Sequence, residues 1–147
     1  MNKIVWFRYD LRLIDNDAFL NAIKNGNILP IFIFDKGYFK LEVSSSFHLK
    51  FIIESLNELD NKLQQEFGTN LNIYYGDTLE ILKKIIEKFK INEVFSNKIF
   101  KNKYLNDLDL NLEKFFILKN VKWNFYNQFG IQLNHRERYK WSANWNK

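Results

Sequence analysis

The 147-residue sequence contains no cysteine, which excludes a disulfide framework, a thiolate nucleophile and a zinc–cysteine site. It has only one proline and five glycines, which excludes both a collagen-like chain and a disordered chain rich in these two residues. No stretch approaches the roughly 20 apolar residues of a membrane-spanning helix. The apolar run near the amino terminus, which ends at Arg8, is too short for a signal peptide. We therefore expect one cytoplasmic domain with no membrane association.

The usual phosphate-binding loops are also missing. The sequence has neither a G-x-G-x-x-G motif after its first apolar run nor a G-x-x-x-x-G-K-[ST] motif. Only two histidines occur, His48 and His135, and their separation does not suggest a metal-binding pair on one helix. No local pattern indicates nucleophilic or metal-assisted catalysis.

The net charge of +5 is unevenly distributed. Eighteen of the 22 basic residues are lysine, a bias typical of an AT-rich coding sequence. Residues 135–147 nevertheless hold four basic side chains against one acidic side chain. The pattern is that of a nearly neutral body with a basic tail.

Short apolar runs alternate with amphipathic stretches along the chain. The runs are β-branched or aromatic and bounded by turn formers, which predicts buried strands, and the stretches between them repeat at steps of three and four, which predicts helices. The predicted strands are 4–7, 28–34, 71–75, 93–96 and 121–125, and the predicted helices are 15–26, 49–67, 77–89 and 105–116. Asp77 and Glu80 resemble a capping box at the start of the third helix, and Gly68 suits a left-handed C-cap after the second. The predicted apolar stripe of that second helix is Leu49, Ile52, Ile53, Leu56, Leu59, Leu63 and Phe67. This order favours a Rossmann-like α/β fold, a three-layer sandwich with a five-stranded parallel sheet, over residues 1–126.

The segment Trp6–Asn16 concentrates charge where the first strand leads into the first helix. Two of the chain's four arginines lie here. Ligands of such sheets bind beyond the carboxyl ends of the strands, so Arg8 and Asp10 are candidates for a ligand cleft. The structural alternative is that Arg12, Asp15 and Asn16 pair with neighbours and cap the helix.

This segment closely resembles the opening motif of the DNA photolyase and cryptochrome family. The resembling residues are Trp6-Phe7-Arg8-x-Asp10-Leu11-Arg12-Leu13-x-Asp15-Asn16. The likeness continues in order through Leu29–Asp35, the helix beginning near Phe51, and Leu71–Asp77. It therefore covers almost the whole predicted α/β body.

The resemblance implies a two-part photochemical system. Family members join an α/β domain to a larger helical domain that holds FAD, and the light-driven repair of pyrimidine dimers takes place on that second domain. The α/β domain's usual role is to hold an antenna chromophore, which is a folate, a deazaflavin or a flavin. Candidate antenna-binding residues at the strand ends are Arg8, Asp10, Phe34, Asp35 and Asn97. Among them, Arg8 would meet an anionic part of the chromophore, and Phe34 would supply an apolar or stacking wall.

Residues 127–147 resemble the segment that leads toward the helical domain in some photolyase-like proteins. Trp141 and Trp145 stand one helical turn apart, and Arg138 precedes the first by three residues. We expect these three side chains to form a contact surface for a FAD-binding helical domain, and two versions stay open: the domain is separately encoded, or the chain is a truncated remnant that has lost it. The resemblance implies that this chain alone is inactive, and that FAD and DNA reach it only through that partner.

Two other functions stay open at the level of sequence. The chain has the element order of stand-alone nucleotide-binding α/β modules, although it has no glycine-rich phosphate loop. Alternatively, the basic, tryptophan-containing tail binds single-stranded nucleic acid by stacking, with help from Arg136, Arg138 and Lys140.

Overall fold

The computed structural model describes residues 2–41, 46–99 and 103–127. They form five strands that alternate with helices, as the sequence pattern predicts. The strands are β1 (Asn2–Phe7), β2 (Ile28–Asp35), β3 (Asn72–Gly76), β4 (Ile91–Asn97) and β5 (Lys122–Tyr126), and the helices are α1 (Asp17–Ala22), α2 (Lys36–Leu41), α3 (Ser46–Phe67), α4 (Thr78–Phe89) and α5 (Lys103–Leu118).

The five strands form one parallel sheet in the order β3-β2-β1-β4-β5. The chain first moves outward from β1 through β2 to β3, then returns to the other side of β1 through β4 to β5. The order therefore reverses between β1 and β4. In open α/β sheets this reversal opens a crevice at the carboxyl ends of the two strands, so it marks the expected place of a site.

Two apolar layers cover the sheet. On one face, α1 and α3 pack against side chains such as Val5, Phe7 and Phe32. On the other, α4 and α5 pack against Ile4, Trp6 and Ile31. Successive residues of β1 thus point to opposite layers, both of them buried, which is why its sequence is continuously apolar. The predicted three-layer α/β sandwich is confirmed.

Local capping signals mark the start of α4 and the end of α3. The Asp77 side chain accepts a hydrogen bond from the Glu80 backbone N–H at 2.9 Å and caps α4. Only this half of the capping box forms. The Glu80 carboxylate, which would complete it, pairs with Lys83 instead. Gly68 follows α3 with φ of 63°, a left-handed conformation that glycine adopts without a steric penalty.

Two features differ from the expectations. Helix α2 is absent from the predicted elements because its six residues are too few to show a helical period. The apolar stripe of α3 is also narrower than predicted. Leu49, Ile53 and Phe67 are exposed, and Ile52, Leu56, Leu59 and Leu63 form its buried part.

The predicted interface residues Arg138, Trp141 and Trp145 lie outside the described residues, so their role stays a prediction. Within the described ranges, no helix has the length and apolarity needed to cross a bilayer.

Candidate functional site at the carboxyl edge of the sheet

The structure brings the polar candidates to the carboxyl edge of the sheet. Arg8 and Asp10 directly follow β1, while Asp35 and Asn97 are the last residues of β2 and β4. Parallel strands end at the same edge, so residues far apart in sequence meet there. They form two separate hydrogen-bonded groups, one around Asp10 and one around Asp35, with Arg8 between them.

Arg8 is buried, with 4 % of its surface exposed. Its guanidinium binds both carboxylate oxygens of Asp109 on α5, at 3.0 and 2.7 Å. Its Cζ atom also lies 4.5 Å from the centroid of the Trp6 ring, a cation–π contact. Burial raises the pKa of Asp109, and the nearby positive charge of Arg8 offsets this only in part. The guanidinium expected to meet a ligand anion therefore meets a carboxylate of its own chain.

Asp10, Asn16 and Asn97 form a buried network between the ends of β1 and β4. The Asp10 carboxylate accepts hydrogen bonds from the Arg8 backbone N–H at 3.0 Å, from Asn16 Nδ2 at 3.1 Å, and from Asn97 Nδ2. Asn97 Nδ2 also donates to Asn16 Oδ1 at 2.8 Å. Asn97 is 1 % exposed, and its Oδ1 has no hydrogen-bond partner within the described ranges. The network fixes the loop after β1 onto β4.

Asn16 has a second role as the N-cap of α1. Its Oδ1 accepts the Phe19 backbone N–H at 3.0 Å, and its Nδ2 donates to the Arg12 carbonyl at 2.9 Å. The structural interpretation of Asn16 is therefore confirmed. Arg12 also behaves as the structural interpretation predicts, because its guanidinium donates to the Asp15 carbonyl.

We expect Asn16→Ala to lower the free energy of unfolding by about 2 kcal/mol, because it removes an N-cap and leaves the Asn97 amide and the Asp10 carboxylate with fewer partners. The matched control is Asn21→Ala, which replaces an asparagine on the same helix whose side chain makes only exposed hydrogen bonds, to the Asp17 carbonyl and from the Lys24 ammonium. Urea unfolding followed by far-ultraviolet circular dichroism measures both. Equal stabilities of the two variants would contradict this role.

Asp35 holds three elements together at the end of β2. One carboxylate oxygen accepts the Tyr38 backbone N–H at 2.8 Å and the Tyr104 hydroxyl at 2.6 Å. The other accepts the Thr78 backbone N–H at 3.1 Å and its hydroxyl at 2.6 Å. Burial raises the pKa of Asp35, but these four hydrogen bonds outweigh burial and keep the pKa below its ordinary value. Asp35 is thus an ionised anchor for α2, α4 and α5.

Phe34, expected as an apolar wall of a chromophore site, packs against other phenylalanines. Its ring centroid lies 4.9 Å from that of Phe32 and 5.4 Å from that of Phe39 on α2. It points into the layer of α1 and α3, whereas Asp35, its neighbour in the strand, points to the opposite side. The two residues therefore do not line one pocket.

Sequence reasoning missed the partners that complete these groups, namely Asp109, Thr78, Tyr104 and Tyr38. The sequence does contain a signal for one of them, Asp109. It lies four residues after Leu105 and three before Leu112, both buried, so it interrupts the apolar stripe of α5. A carboxylate on an apolar stripe indicates a buried cationic partner. Nothing in the sequence signals which arginine or lysine that partner is.

Comparison with known proteins identifies the fold. The family model for DNA photolyase matches residues 3–122. The chain belongs to the DNA photolyase family. It is 33% identical over 101 residues to cryptochrome-1 of Aedes aegypti and 34% identical over 102 residues to the chloroplastic/mitochondrial cryptochrome DASH of Solanum lycopersicum. The matches cover 64% and 65% of this chain and 18% of each relative, so the chain spans about a fifth of their length.

Solved photolyase structures share the same α/β domain. The bacterial class III photolyase of Agrobacterium tumefaciens superimposes with a TM-score of 0.78 at 25% identity, covering 89% of this chain and 27% of that one. The archaeal photolyase of Sulfolobus tokodaii gives a TM-score of 0.75 at 26% identity, covering 98% of this chain and 34% of that one. The Sulfolobus protein contains two FAD molecules, which implicate a novel light-harvesting cofactor in that enzyme.

Members of the photolyase family bind FAD and an antenna chromophore. The candidate residues Arg8 and Asp35 line a cavity at the strand ends of about 20 Å³, far smaller than the 300–1,000 Å³ of typical ligand pockets. Tyr38 is almost completely buried in its wall. The Arg8 guanidinium and both Asp35 oxygens are occupied by protein partners, so this space does not fit a flavin or a folate.

A larger groove of about 530 Å³ lies to one side, between α5 and β5. None of the five antenna candidates, which all lie within the described ranges, lines this groove. Within the described ranges, no group of three or more histidine, aspartate or glutamate side chains is placed to hold a metal ion.

Proposed function

We propose that this photolyase-family domain is the non-catalytic α/β part of a light-dependent photolyase or cryptochrome-type assembly, and that the flavin chemistry belongs to a helical FAD-binding partner. One observation carries the proposal. Two charged groups at the carboxyl edge of the sheet are bound by the protein itself: Arg8 pairs with the Asp109 carboxylate, and Asp35 accepts four hydrogen bonds from Tyr38, Tyr104 and Thr78. Within the described ranges, these contacts order the edge of the sheet and leave neither the Arg8 guanidinium nor the Asp35 carboxylate free for a substrate.

The physical role of such an edge is to present a fixed surface. Asp10 ties the loop after β1 to β4, while Asp35 ties β2 to the beginnings of α2 and α4 and to α5. The segments that follow β1, β2 and β3 are thereby each held by a side chain that is distant in the sequence. A preformed surface loses little conformational entropy on binding, which favours association with a second domain. The predicted contact residues Arg138, Trp141 and Trp145 follow this edge in the chain.

The assembly is tested by titrating the full chain with a purified helical FAD-binding domain of the photolyase family, using size-exclusion chromatography and calorimetry. We expect a complex, and we expect Trp141→Ala combined with Trp145→Ala to weaken it at least tenfold, because buried tryptophans at interfaces typically contribute about 2 kcal/mol or more. The control is Leu118→Ala, which shortens a highly exposed apolar side chain on α5. Equal affinity of all three proteins, or no complex, would reject the proposal.

Activity provides a second measurement on the same proteins. Under near-ultraviolet light, the chain alone is expected to leave pyrimidine dimers in damaged DNA unrepaired, because the cavity of about 20 Å³ at the strand ends does not fit a flavin. Repair by the chain alone would overturn the assignment. A chromophore absorption band retained by the purified chain would equally contradict a purely structural role.

A further inference from the structure

The strand-end crevice, the space at the ends of β1 and β2 beside α4 and α5, is almost completely filled. The cavity of about 20 Å³ that remains there lies beside Trp6, Arg8, Asp35, Thr78 and Leu105. Such a volume is close to the space that a single water molecule needs. Open α/β sheets bind ligands at the ends of their strands. The side chains that fill the crevice therefore decide whether a ligand can enter it.

Tyr38 of α2 takes up much of this space. Its side chain is 1% exposed and lines the cavity that remains. Its ring centroid lies 5.3 Å from that of Tyr9, in the segment after β1, and 5.8 Å from that of Phe39, with angles between the ring planes of 65° and 87°. Edge-to-face contacts of this kind hold aromatic rings in protein cores and in ligand pockets alike. Tyr38 is thus packed at the strand ends as the ring of a bound ligand would be.

Two contacts hold α2 in this position, since a helix of six residues is too short to be stable by itself. One oxygen of Asp35 accepts both the Tyr38 backbone N–H and the Tyr104 hydroxyl, which ties α2 to α5. The Tyr104 ring also lies directly against Gly37, where a Cβ atom would come within 2.6 Å of Tyr104 Cζ. Only glycine permits this close approach. The placement of Tyr38 therefore depends on the pair Gly37 and Tyr104.

We propose that Tyr38 is an internal occupant of the strand-end crevice, held there by the contact between Gly37 and Tyr104. It takes the space that the ring of a chromophore would need, so this domain holds no flavin or folate antenna at its strand ends. The filling of the crevice is a property of this chain alone. Its consequence rests on the assembly proposed above, in which the partner's flavin absorbs light directly and receives no excitation energy from this crevice.

The first test replaces the Tyr38 ring by a free one. Tyr38→Ala leaves a cavity of the shape of the lost ring, and such cavities take up small aromatic molecules. We expect 4-methylphenol, the free counterpart of the tyrosine side chain, to bind the Tyr38→Ala chain at least about tenfold more tightly than the wild type. Calorimetry and saturation-transfer NMR on the full chain measure the affinities.

The matched control is Tyr75→Ala, which shortens a tyrosine that is 72% exposed and is expected to bind 4-methylphenol as weakly as the wild type does. Equal affinity of Tyr38→Ala and the wild type would overturn the proposal. A Tyr38→Ala chain that folds only when 4-methylphenol is present would support it, because circular dichroism would then report the binding.

A second variant tests the proposal without shortening the buried ring. Gly37→Ala places a Cβ atom against Tyr104 and should displace α2, so we expect amide hydrogen exchange in α2 to become at least about tenfold faster while exchange in α4 is unchanged. In the matched control, Tyr104→Ala removes the obstacle, and adding Gly37→Ala to it should cause no further acceleration. Unchanged exchange in α2 of Gly37→Ala would overturn the role of this contact.

Chromophore binding is measured on the wild-type chain with riboflavin and folic acid as probes. We expect neither the flavin nor the pterin fluorescence to change when the chain is added, because the remaining cavity of about 20 Å³ is too small for either ring system. Riboflavin binding accompanied by faster hydrogen exchange in α2 would overturn the proposal, since α2 would then be a displaceable cover of the crevice and not its fixed filling.

Discussion

Asp109→Ala is expected to lower the free energy of unfolding by about 3–5 kcal/mol, because it leaves the buried Arg8 guanidinium without its counter-charge. Both hydrogen bonds of the bidentate pair disappear, and the Trp6 and Phe125 rings that remain near the cation carry no counter-charge. A domain of this size loses about 2–4 °C of melting temperature per kcal/mol. Thermal and urea unfolding measure the loss. The matched control is Asp107→Ala, which removes an exposed carboxylate from the same helix.

A double variant distinguishes the effect of removing the whole ion pair from the effect of leaving Arg8 buried without its partner. Burial raises the pKa of Asp109 even though Arg8 binds it, so the attraction does not fully compensate the removal of the carboxylate from water. We therefore expect Arg8→Met combined with Asp109→Leu to lie within about 1 kcal/mol of the wild type, since apolar replacements of buried ion pairs are often neutral. A double variant as unstable as Asp109→Ala would show that the pair itself stabilises the fold.

Asp35→Ala is expected to lower the free energy of unfolding by about 3–5 kcal/mol, because it removes four hydrogen bonds to a charged acceptor and leaves buried donors unpaired. Tyr104→Phe is the matched control. It removes one of the four bonds and is expected to lose about 1 kcal/mol. Urea unfolding at neutral pH measures the two variants, and a loss by Asp35→Ala no larger than that by Tyr104→Phe would contradict the role of Asp35.

The contribution of Asp35 also has a defined pH dependence. The pKa of Asp35 is lower in the folded protein than the value of about 3.9 for an unperturbed aspartate. The carboxylate therefore stabilises the fold fully above that ordinary value, and the stabilisation is lost as the pH falls through the lowered one. The difference in stability between wild type and Asp35→Ala should shrink over that acidic range. A constant difference down to the lowest accessible pH would exclude an ionised anchor.

The sequence predicted the secondary-structure order because each element carries its own periodicity. The apolar stripe of α4 and the Asp77 cap are local signals, and both are confirmed. Helix α2 is too short to have a period, so its position depends on contacts from elsewhere, chiefly the Asp35 carboxylate that accepts the Tyr38 N–H. Short elements held by distant side chains are the part of the fold that periodicity does not reveal.

The candidate site also has features that the sequence predicted and features that it did not. The strand-end rule correctly placed Arg8, Asp10, Asp35 and Asn97 at one edge of the sheet. It did not reveal whether each side chain faces a ligand or another part of the protein. The partner of each side chain decides this, and the partners are distant in the sequence. Asp109 is 101 residues from Arg8, and Tyr104 is 69 residues from Asp35.

The family, the five-stranded parallel sheet and the edge at which its polar residues gather could all be predicted from the amino-acid sequence. The scarcity of glycine, proline and cysteine contributes to this prediction, because it excludes other fold classes without reference to any contact. That Arg8 and Asp35 bind other parts of the protein, and that open space lies beside α5 and β5, depends instead on tertiary contacts. The physical reason is that periodicity and capping act within a few residues, whereas ion pairing and cavity volume depend on which distant segments the fold brings together.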